Sequence, residues 1–268
     1  MRVGRKVVMG ALLCAMLAAS AAPPAQAELI NSAREIEIGR SVAVEVEGRY
    51  GLLDNPVQQR QVEAVGLRLA KMSARPALPW KFKILNTREI NALSLPGGII
   101  YVTKGMMGFL RYEDELAVVL GHEIGHVSRR HHVQLLERYF YVNLIIQFLF
   151  RNQPQVAEVA DMTHVLLTQG FNRDLEFEAD RIGVDTAHRA GYNAATAVPL
   201  MERFRRAEAR DPSQFEVVFR SHPAWADRLA RVKDQLRELG YHTSVGGSRV
   251  EQRDSRETRG SYQLRPAD

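Results

Sequence analysis

The stretch VVLGHEIGHVSRRHH, residues 118–132, holds four of the chain's eight histidines. Two of them, His122 and His126, flank Glu123 in the pattern H-E-x-x-H. Residues four apart on a helix are separated by about 6 Å of rise and about 40° of rotation, so the two imidazoles can converge on one metal ion. Glu123 then lies beside the open coordination position, where a carboxylate can take a proton from water. The pattern predicts a hydrolytic metal site.

The alternative interpretation is a surface helix that carries two histidines by coincidence. In a chain of this composition, a chance H-E-x-x-H has odds of about one or two per cent. The surrounding sequence LAVVLGHEIGHV is too apolar for a solvated face. Gly121 and Gly125 would each cost about 1 kcal/mol of helix stability relative to alanine, unless another element has to approach closely. The metal site is therefore the favoured interpretation.

A metal site needs a third ligand, and His132 is one candidate. It lies ten residues after His122, as the last histidine does in H-E-x-x-H-x-x-G-x-x-H, which would indicate a metzincin-like site. Arg129, however, stands where that pattern has its helix-breaking glycine. If the helix continues, His131 and His132 point away from the ligand face, and both are predicted to be helix-surface residues.

A better candidate lies in NRDLEFEADRIG, residues 172–183. Glu176 and Asp180 are four apart on one face of a predicted helix. Glu176 can complete a set of two histidines and one carboxylate, while Asp180 can fix the tautomer of a ligand histidine. Glu178 is about 200° around the helix from Glu176 and is predicted to face elsewhere. These acids could equally form a solvated helix face, but the nearby H-E-x-x-H pattern favours the metal interpretation.

Helical periodicity dominates the rest of the chain. Two stretches instead read as strands, WKFKILN at residues 80–86 and GIIYVTKG at residues 98–105. Helices are predicted at residues 32–51, from residue 55 to 72, from residue 113 onwards, and at residues 175–188, 195–210 and 224–239. The predicted fold class is α+β, a mostly helical domain with a small β-sheet beside the helix that carries H-E-x-x-H.

The two ends of the chain differ from its middle. Residues 1–27 combine three cations, an apolar run and an A-x-A sequence, as in a cleaved Sec-type signal peptide. An uncleaved anchor is the alternative, but the apolar run is short for a membrane-spanning helix. The mature domain is predicted at residues 28–242. Residues 243–268 form a polar tail that is predicted to be disordered.

Loss of the leader changes the charge and the cysteine count. The formal net charge falls from +5 to +2, because the leader holds three cations and no acid. A charge this small gives no reason to expect nucleic acid as a partner. The single cysteine, Cys14, is also lost, so neither disulfides nor thiolate chemistry are expected.

One apolar stretch has no assigned place in this scheme. YFYVNLIIQFLF, residues 139–150, begins with Tyr139, ends with Phe150 and is too short to span a bilayer. It is either a buried helix or an exposed apolar element that contacts a membrane or an unfolded substrate. A partly buried lid near the cleft is the favoured interpretation, with peripheral membrane contact as the alternative.

Together these motifs resemble the M48 zinc metallopeptidases, the family of HtpX, Ste24 and Oma1. HEIGH at residues 122–126 is followed by EFEAD at residues 176–180, as in the family. NALSLPGGIIYVTKGMM, residues 91–107, is similar to the family's strand and turn beside the active-site helix, and SHPAWADR, residues 221–228, to its His-Pro element. The resemblance spans residues 35–239, is strongest to short periplasmic members and implies a zincin-type fold. It does not extend to a lipid anchor or a TPR domain.

The resemblance implies a role for each matching residue. One Zn²⁺ per chain would be held by His122, His126 and Glu176, with Glu123 activating the water and Asp180 supporting a ligand. His222 matches a family histidine that can approach the zinc as a switch, and a donor to the oxyanion is the other possible role. A substrate strand would add by main-chain hydrogen bonds to Leu95, Pro96, Gly97, Gly98, Ile99, Ile100 and Tyr101.

The expected function is that of a periplasmic zinc endopeptidase that hydrolyses unfolded or misassembled envelope proteins. Binding through main-chain hydrogen bonds tolerates varied side chains, which suits such substrates. The alternative is a non-catalytic chaperone or scaffold that keeps the fold and binds peptide. The presence of Glu123 favours the enzyme, since a protein that only binds has no need of a base at that position.

Overall fold

The computed structural model of the chain describes residues 30–150, 159–210, 215–223, 225–242 and 251–252. The predicted signal peptide and most of the predicted tail lie outside these residues. The described part has ten α-helices, which are α1 (Ser32–Tyr50), α2 (Pro56–Ala70), α3 (Lys104–Phe109), α4 (Glu113–Ser128), α5 (His131–Phe150), α6 (Val159–Thr168), α7 (Arg173–Arg189), α8 (Ala197–Arg210), α9 (Glu216–Ser221) and α10 (Trp225–Glu238). Its strands are β1 (Lys81–Leu85), β2 (Ala92–Leu95), β3 (Ile99–Thr103), β4 (Tyr241–His242) and β5 (Glu251–Gln252).

Three of the helices begin at an asparagine that caps the first turn. The side chains of Asn31, Asn55 and Asn172 each accept a hydrogen bond from a backbone N–H three residues further on, at the start of α1, α2 and α7. This bond satisfies an amide that has no partner within the helix. Pro56 follows Asn55 at a position where its missing N–H costs nothing.

A three-stranded sheet has the order β1-β3-β2. Strands β1 and β3 are parallel, with Lys81 opposite Ile99, and β2 and β3 are antiparallel, with Ala92 opposite Val102. A β-bridge from Leu52 to Leu85 lies at the outer side of β1, which leaves β2 as the open edge. The mostly helical α+β fold with a small sheet is confirmed.

The expected substrate-binding strand is corrected by this order. All five residues of β3 are buried, and the strand has hydrogen-bonded neighbours on both sides. Ile99, Ile100 and Tyr101 therefore cannot accept a further strand, because their backbone groups already pair within the sheet. The turn before β3 is also covered, since the Gly97 N–H donates to Glu35 of α1. Of the predicted residues, Leu95 alone belongs to the edge strand β2.

Helix α4 lies at the centre of the domain. Thirteen of its sixteen residues are buried, as expected for a helix that is apolar on every side. It packs against α7, α2 and β2. Its first turn is tied to α8 by the buried Glu115, whose two carboxylate oxygens each accept a 2.7 Å hydrogen bond from the Arg203 guanidinium.

The other end of α4 is tied to α1 by a buried carboxylate. Both oxygens of Glu35 accept hydrogen bonds from Arg75, at 2.8 and 2.9 Å, and Arg75 also donates to the Val127 carbonyl near the end of α4. Arg130, just past that end, pairs with Glu35 at 3.2 Å. Because a buried ion pair is costly to break, these contacts hold α1, α4 and the turn before β3 together.

The apolar stretch at residues 139–150 forms the second half of α5. Tyr139 and Phe140 are partly buried against an apolar cluster that includes Val42 and Val46 of α1. Tyr141, in contrast, is 54% exposed. The side chains of residues 142–150 lie outside the description, so the proposed lid and membrane contact remain predictions. Among the described residues, no helix is both long enough and apolar enough to cross a membrane.

Two residues of the predicted tail pair with the end of the domain. Strand β5 is antiparallel to β4, with Tyr241 opposite Gln252 and His242 opposite Glu251. At these two residues the tail is therefore extended strand rather than disordered. The rest of residues 243–268 lies outside the described chain.

Candidate metal centre

His122 and His126 of α4 lie one turn apart and face each other. Their Nε2 atoms are 3.0 Å apart, and their rings meet edge to face with centroids 4.7 Å apart. His126 is fully buried and His122 is 9% exposed. The structure thus brings the two predicted ligands together on one face of the helix.

Helix α7 places Glu176 against both histidines. The two carboxylate oxygens lie 3.3 Å from His126 Nε2 and 3.5 Å from His122 Nε2, and the side chain is fully buried. The approach of α7 to α4 depends on small residues. A Cβ at Gly121 would lie 2.8 Å from the carbonyl oxygen of Gly183, and one at Gly125 would lie 2.9 Å from that of Ala179. The prediction that these glycines allow a close approach is confirmed.

His222 completes the group from the residue after α9. Its Nδ1 lies 3.1 Å from a Glu176 oxygen and 3.2 Å from His122 Nε2. One donor atom from each of His122, His126, Glu176 and His222 falls within 4.8 Å of the others. Residues up to 100 positions apart thus point their nitrogen and oxygen atoms at one small volume.

The contacts of His122 are those expected of a histidine that binds a metal ion through Nε2. Its Nδ1 lies 2.9 Å from a carboxylate oxygen of Asp180, which can only accept a hydrogen bond when ionised. The Asp180 carboxylate therefore favours a ring proton on Nδ1, which leaves Nε2 as the atom that faces His126 and Glu176. Nitrogen lone pairs and a carboxylate that converge in this way repel one another, and a cation held between them would relieve that repulsion. Nitrogen and oxygen donors of this kind suit zinc.

Arg228 of α10 is a part of the site that sequence reasoning assigned no role. Its guanidinium binds both oxygens of Asp180, at 2.6 and 2.7 Å, and one oxygen of Glu176, at 2.7 Å. It also donates to the His222 carbonyl at 3.2 Å and is 3% exposed. One side chain therefore fixes a predicted ligand, its supporting acid and the backbone of His222. Its only signal in the sequence is its place in SHPAWADR.

Charges in the site keep both acids ionised. Burial by itself raises the pKa of Glu176, but the attraction of His222 and Arg228 outweighs burial and holds that pKa well below its usual value. Burial also raises the pKa of Asp180, and Arg228 again outweighs it, so the pKa is lowered. For His222, burial lowers the pKa and the attraction of Glu176 raises it, with a net increase. The site thus favours positive charge.

Glu123 points into the same region from α4. Its Oε2 accepts a 2.6 Å hydrogen bond from the Ser94 hydroxyl of β2, and its Oε1 lies 3.6 Å from His222 Nε2. The side chain is 3% exposed. Ser94 therefore occupies one oxygen and leaves Oε1 directed at the donor group, as needed for a base.

The prediction that His131 and His132 lie on the helix surface is wrong. Helix α4 ends at Ser128, and Arg130 adopts a left-handed conformation with φ 58°, so the chain turns and α5 begins at His131. His131 is fully buried, and its Nδ1 lies 2.9 Å from His126 Nδ1. His132 is 3% exposed, and its Nε2 lies 3.2 Å from the Ser94 hydroxyl. Neither belongs to the four-donor group, so His132 is no metzincin-like ligand.

A cleft is lined in part by β2, the edge strand of the sheet. Its lining includes residues 91–94 and residues 166–169, together with Glu123, His132 and His222. Phe171 also lines the cleft and stacks on the His126 ring, with centroids 4.0 Å apart and an interplanar angle of 21°. The predicted base and one of the four donors, His222, therefore border a cleft that also includes residues of the edge strand β2.

Comparison with known proteins identifies the family. The sequence profile of Peptidase family M48 matches residues 56–236. The chain belongs to peptidase family M48. The match covers most of the chain, including α4, α7 and His222, and confirms the prediction of an M48 metallopeptidase.

Named relatives agree with this assignment. The chain is 25% identical to the Beta-barrel assembly-enhancing protease of Escherichia coli K12 over 221 residues, which cover 78% of this chain and 45% of the relative. It is 28% identical to the Mitochondrial metalloendopeptidase OMA1 of Schizosaccharomyces pombe over 181 residues, 66% of this chain and 52% of that protein. Metalloprotease YcaL of Escherichia coli K12 is 24% identical over 181 residues, 64% of this chain and 70% of YcaL. The chain spans about half the length of the first two relatives.

Proposed function

We propose that this protein is a zinc-dependent endopeptidase that hydrolyses unfolded or misassembled proteins of the cell envelope. The observation that carries the proposal is the four-donor group with Glu123 beside it. His122, His126 and Glu176 would hold one Zn²⁺ per chain, and Asp180 supports His122. The names of the relatives, among them a protease that enhances β-barrel assembly, support the substrate class.

The reaction requires a base at Glu123. When bound, zinc would polarise the scissile carbonyl and make water a better nucleophile. Glu123 Oε1 takes a proton from the attacking water as the new C–O bond forms. It then gives that proton to the amine nitrogen as the C–N bond breaks. The hydrogen bond from Ser94 holds the other oxygen and keeps Oε1 directed at the reacting atoms.

His222 is proposed to restrain the resting enzyme. Its Nδ1 lies among the three ligands, within 3.2 Å of His122 and Glu176, so that it can take the fourth coordination position. A hydrolytic zinc site needs that position for water, and a fourth protein ligand would block it. Residues 221–223 must then shift before the enzyme can act.

An extended substrate is proposed to bind along β2. The open edge of this strand can pair with a peptide by main-chain hydrogen bonds, which tolerate varied side chains. This replaces the longer segment predicted from sequence and keeps Leu95 as the shared residue. Beside His122 and His222 there is also a pocket lined mainly by apolar side chains, including Leu200, Phe204 and Trp225, which suits an apolar substrate side chain.

The cell envelope, and the periplasm in particular, is the proposed location because the first 27 residues read as a secretory signal. Peripheral membrane contact through residues 139–150 is part of the same proposal. N-terminal sequencing of the protein secreted from its host would test the leader, with Glu28 as the expected first residue.

The decisive experiment measures zinc content and casein cleavage for the wild type and Glu123→Gln. The glutamine amide cannot accept the proton of water, so the variant is expected to keep about one zinc per chain and to lose hydrolysis. Cleavage by the variant at the wild-type rate would show that Glu123 is not the base. A wild-type protein that binds zinc and unfolded casein without cleaving it would instead favour the chaperone or scaffold.

Two further variants separate the roles of the donors. Glu176→Ala should lose most of its zinc. His222→Ala should keep zinc and cleave casein faster if His222 restrains the site, or about 10²-fold more slowly if it donates to the oxyanion. Loss of zinc from His222→Ala would contradict both roles and make His222 a structural ligand.

A further inference from the structure

The ligand His126 makes a contact that differs from that of its neighbour His122. The Nδ1 of His122 meets a carboxylate directly, whereas the Nδ1 of His126 lies 2.9 Å from the Nδ1 of His131. His131 in turn places its Nε2 3.1 Å from an oxygen of Glu178 on α7. The two helices that supply the ligands are thus also joined by a chain of three side chains behind His126.

We propose that His131 and Glu178 are positioning residues that fix the tautomer and the orientation of His126 toward the metal. This inference rests on the proposed zinc site. Two imidazole nitrogens at 2.9 Å can share a single proton, so one must donate and the other accept. The partners at both ends of the chain decide which one donates.

From the metal side, His126 needs a free lone pair on Nε2, which faces His122 and Glu176. Its ring proton must then be on Nδ1, and Nδ1 donates to His131 Nδ1. From the Glu178 side, a carboxylate accepts a hydrogen bond, so the proton of His131 is on Nε2 and its Nδ1 is the acceptor. The metal side and the Glu178 side therefore require the same arrangement, in which Glu178 orients His131 and His131 orients His126.

The turn between α4 and α5 makes this arrangement possible. The left-handed Arg130 brings His131 back over the end of α4, whereas a continuing helix would direct it away. Arg129 binds the second oxygen of Glu178 at 2.6 Å and so fixes the acid at the domain surface. Phe171 packs on the His126 ring and His131 meets it at the edge, so the ring is held from two directions.

The test measures zinc affinity by competition with a chelator, independently of any peptidase activity. His131→Leu removes the acceptor for His126 Nδ1–H and should weaken zinc binding about 10- to 100-fold. Losses of this size are usual when a ligand histidine loses the hydrogen-bond partner of its other ring nitrogen. In His131→Asn, the amide oxygen takes the place of the imidazole Nδ1, so affinity should return to within about threefold of the wild type. Glu178→Ala, at a half-buried position, should weaken binding about tenfold.

Asp185→Ala is the matched control. It removes a carboxylate from the same helix that pairs with Arg189 at 2.8 Å, far from the donors, and should leave zinc affinity unchanged. The ring ¹⁵N shifts of the wild type should show Nδ1 protonated in His126 and Nε2 protonated in His131. Thermal unfolding of each variant shows whether it is folded when it is titrated.

Equal affinity of His131→Leu and the wild type would overturn the proposal. So would a His131→Asn protein as weak as His131→Leu, which would show that imidazole packing, and not the acceptor, matters. The proposal would also be overturned by ring ¹⁵N shifts that place the proton of His126 on Nε2, whether or not zinc is bound. If the wild type binds zinc but Glu123→Gln remains active, the proposed reaction fails and the positioning role stands.

Discussion

The two sides of the candidate metal centre hold the proposed ligands by different physical means. On the α10 side, Arg228 and Asp180 form a buried ion pair against His122. On the α5 side, His131 and His132 are neutral rings that contact His126 and Ser94. Burial lowers the pKa of His131, and it lowers that of His132 to about 3. One side is therefore held by opposite charges and the other by buried groups that must stay uncharged.

This difference implies two separate ranges of acid sensitivity. A histidine whose pKa is lowered by folding stabilises the fold fully above its unfolded value of about 6.5, and that stability is lost as the pH falls. A carboxylate whose pKa is lowered, such as Asp180, keeps its contribution down to its unfolded value of about 4 and loses it below. The α5 side should thus weaken first on acidification.

The largest expected effect concerns His132. The difference between 6.5 and about 3 corresponds to about 5 kcal/mol of unfolding free energy, reached progressively between those pH values. In His132→Gln the amide can still donate to Ser94 but does not titrate. Urea unfolding from pH 7 to pH 4 should therefore show a shallower loss of stability in the variant. Parallel curves for the two proteins would mean that His132 does not contribute to the acid sensitivity.

Arg228→Leu tests the charged side and ranks next. It leaves Asp180 and Glu176 buried without their cation, which is expected to cost about 3–5 kcal/mol of unfolding free energy at pH 7 and most of the zinc affinity. Arg231→Leu is the control on the same helix. Arg231 is exposed and lies 3.9 Å from the Phe177 ring centroid, so its loss should cost about 1 kcal/mol or less. Similar losses in both variants would argue against a special role of the buried pair.

A smaller effect is expected where α4 and α7 touch. Gly125→Ala would place a Cβ 3.0 Å from the Ala179 Cα, and the helices must shift because the neighbour is backbone. We expect about 1–3 kcal/mol of destabilisation and weaker zinc binding, since α7 carries Glu176.

The same glycine-to-alanine substitution at Gly48 should change the stability of the fold in the opposite direction. Nothing lies within 4 Å of a Cβ at this position in α1, so alanine should stabilise the fold by up to about 1 kcal/mol through its helix propensity. Chemical unfolding of both variants checks the pair. Equal stabilisation of the two would mean that the contact between α4 and α7 is looser than the structure shows.

The parts of the site that the sequence predicts are those with local spacing. Two pairs of site residues are four apart on a helix: His122 with His126, and Glu176 with Asp180. Every α-helix places such pairs on one face, whatever surrounds it. The fold class follows from the same periodicity. Glycine at two positions of α4 indicated a close neighbour because it is costly elsewhere in a helix.

The features that were missed depend on single backbone conformations or on distant contacts. The turn at Arg130 has no glycine or proline to indicate it, so the sequence predicts a continuing helix with His131 and His132 on its surface. Strand β2 has only four residues, too few for periodicity to separate a strand from a loop. The position of β3 inside the sheet depends on pairing, which the hydrophobic pattern of one strand does not contain. Arg228 meets acids 48 and 52 residues earlier, and no local pattern carries that information.

The position of Arg228 in the sequence also sets the order in which the centre is completed during synthesis. The two histidines of α4 are made first, Glu176 and Asp180 come about fifty residues later, and the arginine that neutralises both acids comes last. A nascent chain therefore has two of its histidines long before it can bury the acids. The donor group can take its described arrangement only in a chain whose α10 has docked, because Arg228 of that helix pairs with both acids.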